Sequence, residues 1–140
     1  LYGTLPGVKY GWPKNVLHYN GIPETVVDIN ASLPTTIAVI DGIECMEGDG
    51  PILGTAKQMG LIVVGTDRLA TDATCARIMG FEPTRVSYLH LAHANGLGQI
   101  NHLLIRQEGE RWQPLVSPFR ILDNEYLRSL QTREAAIKTS

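Results

Sequence analysis

Four carboxylates, Asp41, Glu47, Asp67 and Asp72, stand out in this 140-residue chain as groups placed to do chemistry. Asp41 directly follows the apolar run IAVI, and Asp67 follows LIVV by way of Gly65-Thr66. A carboxylate at the end of a strand, beside a glycine-rich loop, can hold a hard cation or move a proton. Asp41, Asp67 and Asp72 are therefore the candidate metal ligands, and Asp72 and Glu47 the candidate catalytic acid–base groups. Asp72 lies three and four residues from Leu69, Cys75 and Ala76, which places it beside an apolar helical face. A carboxylate there needs a partner, a hydrogen bond or a cation. Structural alternatives stand beside both aspartates: Asp67 suits a helix N-cap, and the first turns of a helix favour negative charge at Asp72.

Between the two apolar runs lies a stretch with Gly42, Gly48, Gly50, Gly54 and Gly60, together with Glu44, Glu47, Asp49, Thr55 and Lys57. Three readings fit it. Glycine amides can cradle an anion with help from Lys57, the acids can bind magnesium or calcium, or the loop is a solvated acidic turn. On the first reading the ligand-binding residues are Gly48, Gly50, Pro51, Gly54, Thr55 and Lys57. The phosphate loop G-x-x-x-x-G-K-[ST] and the dinucleotide fingerprint are absent, which argues against those modes of nucleotide binding.

The remaining reactive side chains give weaker signals. No G-x-S-x-G elbow is present, so a serine triad is disfavoured. Cys45 could be a nucleophile or a ligand, yet Glu44 and Glu47 work against thiolate formation. Two cysteines are too few for an iron–sulfur cluster or a cysteine-rich zinc site within this chain, and reduced thiols, as in a cytoplasmic protein, are the expectation. His90 and His93 share a helical face but lack a third ligand, so exposed helix histidines are the simpler reading. Tyr2, Tyr10, Trp12 and Tyr19, interspersed with Lys9, Lys14 and His18, form either a packed surface segment or the wall of a cleft for a planar or anionic ligand.

These residues need elements to hold them. Gly and Pro break the first half of Leu1 to Asn20, with a short helix from Pro13. Ile22, Val26, Ile29 and Leu33 predict a helix from Pro23 that Pro34 stops. IAVI and LIVV read as strands covered on both faces, so ligands would gather at their carboxyl ends if they run parallel. A helix from about Arg68 to Met79 ends at Gly80. Another runs from Val86 to Ala94 and closes at Asn95-Gly96. His102 to Gln107 and Arg111 to Val116 predict a hairpin turning at Glu108-Gly109-Glu110, and a terminal amphipathic helix begins near Asp123. The fold expected is α/β: a mixed or parallel sheet flanked by helices, with a C-terminal β-hairpin and helix.

Composition sets bounds. Hydrophobic residues make up 44% and charged residues 19%, the balance of a globular domain. A net charge of −2 argues against nucleic-acid binding by phosphate neutralisation. No apolar run approaches the ~20 residues that span a bilayer.

The segments VDIN at 27–30, AVIDGIECMEGDGPILGT, GTDRLATDATCARIMGFEP and YLHLAHANGLG together resemble an uncharacterised family known as domain of unknown function 362. The resemblance covers roughly Leu1 to Gly98, and the MEGxGP loop and the D-x-x-A-x-D helix start are its most specific parts. It implies an α/β fold, chiefly prokaryotic, sometimes encoded with ferredoxin-like iron–sulfur modules, and no established reaction. The positions that match the family are Asp41, Glu47, Gly48, Gly50, Pro51, Gly54, Asp67 and Asp72. The opening LYGTLPG resembles the middle of the family's domain, so 1–140 is expected to be either a single α/β domain or the C-terminal part of a larger one. Two functions are carried forward. One is an acidic, glycine-lined cleft for a small ligand or divalent cation in a redox-associated enzyme. The other is a non-enzymatic docking domain for a ferredoxin-like partner.

Overall fold

A computed structural model describes residues 21–34 and 37–138. The aromatic segment Leu1 to Asn20 and the lead-in Thr35-Thr36 lie outside the described residues. In chain order the elements are helix α1 (Ile22–Ser32), strands β1 (Ala38–Asp49) and β2 (Leu53–Gly65), and helix α2 (Arg68–Ile78). A 3-10 turn (Pro83–Arg85), α3 (Ser87–Ala94), a second 3-10 turn (Gln113–Leu115), α4 (Glu125–Leu130) and α5 (Arg133–Lys138) follow. Helices and strands together make a mixed α/β fold, as expected. No helix among the described residues is long and apolar enough to cross a membrane.

The strands correct the parallel expectation. β1 and β2 pair antiparallel as a two-stranded sheet. The ladder runs through the stretch read as a glycine loop, from Ala38 opposite Gly65 down to Asp49 opposite Leu53. Only Gly50, Pro51 and Ile52 are left to turn, and the Gly50–Pro51 peptide is cis. A parallel pair would need a crossover of a dozen or more residues, whereas a three-residue turn closes an antiparallel hairpin. The ladder slips once, where Ile43 of β1 faces Met59 and Gly60 of β2. Gly60 takes φ +65°, the left-handed conformation such a bulge asks of its glycine.

The helices form the core. Val27 of α1, Leu69 and Ala73 of α2, Leu89 and Ala92 of α3, and Ile100 bury together, with Val86, Tyr88 and Leu97 packed against them. Both α2 and α3 end in a Schellman motif. Gly80 N–H donates to Arg77 O and Phe81 N–H to Ala76 O, while Gly96 N–H donates to His93 O and Leu97 N–H to Ala92 O. The second motif also drives Leu97 into the core. On α1, the stripe Ile22, Val26, Ile29 and Leu33 is not the buried face; Thr25, Val27 and Asn30 are.

The C-terminal hairpin is not formed. The chain does turn at Gly109, where Gln107 Nε2 donates to Glu110 O at 2.5 Å. The two arms meet through an edge-on contact of His102 with Trp112, ring centroids 5.8 Å apart, without a ladder. Pro114 removes a ladder donor from the second arm, and Gln113–Leu115 coils as 3-10. Beyond it the chain straps back over the end of α2. Ser117 N–H donates to Ile78 O, Phe119 N–H to Met79 O and Thr132 N–H to Gly80 O. Two short helices replace the single terminal helix expected.

Candidate functional site

The four candidate acids go to four separate environments. Asp41 faces outward on β1 opposite Ile62, and its Oδ1 accepts the Ile43 N–H at 3.0 Å, which holds the bulge. Asp67 is the N-cap of α2. Its Oδ1 accepts Ala70 N–H at 2.9 Å and its Oδ2 accepts Gln99 N–H at 2.9 Å. Both oxygens are thus engaged, one by the helix start and one by the segment after α3. The glycine at 98 allows this approach, because a methyl there would run into the Asp67 carboxylate. The structure does not bring Asp41, Asp67 and Asp72 together. Among the described residues no three His, Cys, Asp or Glu side chains group to hold a metal ion. His90 and His93 are both exposed, and His93 Nδ1 lies 3.2 Å from Gly98 O.

Glu47 sits at the far end of the hairpin, where several predicted ligand-binding residues do converge. Lys57 pairs with it at 3.2 Å, and the two side chains are only 18–19% exposed. The Arg120 N–H donates to Glu47 Oε2 at 3.0 Å, and Arg120 O accepts the Gly48 N–H at 2.9 Å. Lys57 also donates to Pro118 O at 3.0 Å and lies 5.1 Å from the centroid of Phe119. The Arg120 guanidinium reaches Thr55 Oγ1. The Arg120 amide, aided by Lys57, holds the Glu47 carboxyl below its usual range despite the opposing effect of partial burial. Each polar group of this cluster is spent on the 118–120 strap, a partner that the sequence offers no spacing signal to find. Gly54 faces Gly48 across the ladder, and Gly50 and Pro51 form the turn.

Asp72 lies in a groove between α1, α2 and α3 lined by Asn30, Arg68, Tyr88 and Leu97, among others. Burial raises its pKa, against the pull of the Tyr88 hydroxyl, which donates to Oδ2 at 3.4 Å. Tyr88 is pushed up in turn by burial and by that carboxylate. Cys75 is pushed up to about 11 by burial and by Asp72, which keeps its thiol protonated and unreactive at neutral pH. Arg68 Nη2 donates to Asn30 O at 2.9 Å, placing a cation at the C-terminal carbonyls of α1. Asn30 Oδ1 and Arg68 Nη1 are buried without a hydrogen-bond partner among the described residues. These groups were not singled out from sequence, since Asn30 and Arg68 lie 38 residues apart on different helices and no motif joins them.

The most conspicuous surface is the hairpin itself. Cross-strand neighbours point to the same side of a sheet, and one side carries Val39 with Val64 and Asp41 with Ile62. Val39, Ile62 and Val64 are 66%, 63% and 62% exposed. Ile37, Ile52 and Leu53 extend the apolar surface at its two ends.

A family model described as "Domain of unknown function (DUF362)" matches residues 1–77. The chain belongs to that family. The matched region ends within α2, so it takes in α1, the whole hairpin and the Asp67 cap. A curated relative, "Thylakoid-associated protein sll1697" of Synechocystis, is 25% identical over 99 residues, covering 69% of this chain and 31% of the relative. The chain thus spans about a third of the length of the relative it matches. No solved structure matches the chain.

Proposed function

We propose that this member of the DUF362 family is a structural docking module, with the β1–β2 hairpin as its working surface and protein as its partner. The observation that carries this reading is the uncovered outer face of the hairpin, whose Val39, Ile62 and Val64 are each more than 60% exposed. Contiguous apolar surface of this kind marks contact with another protein surface. The chemistry of the acids agrees. Asp41 holds a bulge, Asp67 holds a helix and a loop, and Glu47 is neutralised by Lys57 and the strap.

The reading is tested by placing charge on the face in the intact gene product. Ile62→Lys and Val64→Lys are expected to cost more than about 2 kcal/mol each, because a docked face would bury an unpaired ammonium. A change within roughly 0.5 kcal/mol, the ordinary value for open surface, would defeat it.

A second reading, a small ligand bound in the Asp72 groove with Asp72 as acid–base group, is favoured by Asn30 Oδ1 and Arg68 Nη1, which have no hydrogen-bond partner among the described residues. Size ranks it lower. The groove measures about 20 Å³, room for a water, which needs roughly 10–15 Å³, and far less than the ~300 Å³ of a ligand pocket. Shifts of the Tyr88 and Asn30 side-chain resonances on titration with small carboxylates would support it. Their constancy up to millimolar concentration would remove it.

A further inference from the structure

The second strand has an edge as well as a face. Gly60 through Gly65 line, at consecutive positions, a cleft of about 930 Å³. Side chains alternate between the two sides of a strand, so a cleft touched by every residue of a six-residue run follows the edge of the strand. That edge is free, because β2 pairs only with β1 among the described residues. Its outward N–H and C=O groups, roughly three of each over six residues, face the cleft. Ala70 and Ile78 of α2 line the cleft on one side, and Leu104, Trp112 and Leu115 also border it. Arg106, Glu108 and Glu110 complete the border, so the walls are mixed, and an unpaired edge beside them takes an extended chain by strand addition, in which backbone hydrogen bonds give affinity and alternate side chains give register.

We infer that this cleft receives a β-strand of about six residues, alternating apolar and polar, from polypeptide of the same protein outside these 140 residues. The inference rests on the docking reading and narrows it from a face to an edge. Chain length favours this occupant over others. The matched stretch covers 31% of the curated relative, so most of that protein's length has no counterpart here.

The test uses the intact gene product in two measurements. Hydrogen exchange is followed in peptides covering 60–65, and a photo-crosslinking residue is placed at Leu104, which borders the cleft and is exposed. The expected result is exchange slowed at least ~100-fold at the outward amides of 60–65, with one intramolecular crosslink to an extended segment beyond the 140 residues. A crosslinked species of twice the mass would assign the edge to a second copy and overturn the inference. Unprotected outward amides would overturn it too. If Ile62→Lys and Val64→Lys are still strongly destabilising in that case, the docking reading stands without the added strand. If they are neutral, both fail.

Discussion

Asp67 illustrates how a carboxylate in a catalytic-looking position can be fully occupied by its own backbone. One oxygen caps α2 at Ala70 and the other receives Gln99 N–H. Asp67→Ala removes a cap worth about 1–2 kcal/mol and leaves the part-buried Gln99 amide unsatisfied, which adds roughly 1–3 kcal/mol. Asp67→Asn keeps one acceptor and should lose only about 1 kcal/mol. Urea unfolding of the three proteins checks the order, and equal losses for Ala and Asn would contradict the two-oxygen account. Asp72 behaves oppositely. Its pKa is raised by burial, so the folded state binds a proton more tightly than the unfolded one. The resulting cost is absent below the ordinary value of 3.8, grows as pH climbs to the raised folded value, and is constant above it. Asp72→Asn should therefore raise the melting temperature at pH 7 and leave it unchanged near pH 3. Destabilisation at pH 7 would show that the carboxylate is held by a favourable partner.

At the scale of elements the hairpin depends on its end cluster. The Glu47 pKa is lowered, so its contribution is complete above the ordinary 4.5 and is lost as pH falls through the lowered folded value. Glu47→Gln should cost about 1 kcal/mol at pH 7, since the ion pair goes while the Arg120 N–H keeps an acceptor. The deficit should vanish in acid, and melting curves at pH 3 and pH 7 measure this. Gly60 and Gly80 test backbone geometry apart from packing. Gly60 has φ +65° with open space around an added methyl, whereas Gly80 has φ +87° with Pro118 and Ala135 carbons 3.0–3.1 Å from one. Gly60→Ala should cost about 1 kcal/mol, and Gly80→Ala more than twice that, because Pro118 is backbone-fixed. Helices α1 to α3 were legible from their boundaries: Pro23 and Pro34 bracket α1, Asp67 and Gly80 bracket α2, and Asn95-Gly96 closes α3, whereas the buried face of α1 was misread from its apolar spacing. The hairpin was not, because only IAVI and LIVV stand out as apolar runs. The rest of the ladder mixes single apolar residues with glycine, acid and lysine, and Glu47 and Lys57 find their partners on 118–120 more than 60 residues away. The outer hairpin face and the Asn30–Arg68 contact were illegible for the same reason: each depends on a tertiary neighbour.

Across the whole molecule, stability and working surface are separated. The buried cluster draws on α1, α2, α3 and Ile100 and includes no residue of β1 or β2. The hairpin is attached by α2 packing against β2 and by the strap at Glu47, Lys57 and Arg120. Regions with few buried apolar contacts open at lower free energy than the core. In the 140-residue chain on its own, amides of 53–65 should therefore exchange through an opening at least ~2 kcal/mol easier than that of Leu69–Ile78. Arg120→Ala should widen the gap by loosening the strap while leaving α2 protection intact. Native-state exchange under rising denaturant resolves the two classes. A single common opening for hairpin and helices would mean that the strap couples them fully, and the hairpin would then be part of the folding unit. Distinct openings would make the hairpin less stable than the helices that carry it, the behaviour expected of a sheet that ends in a free edge.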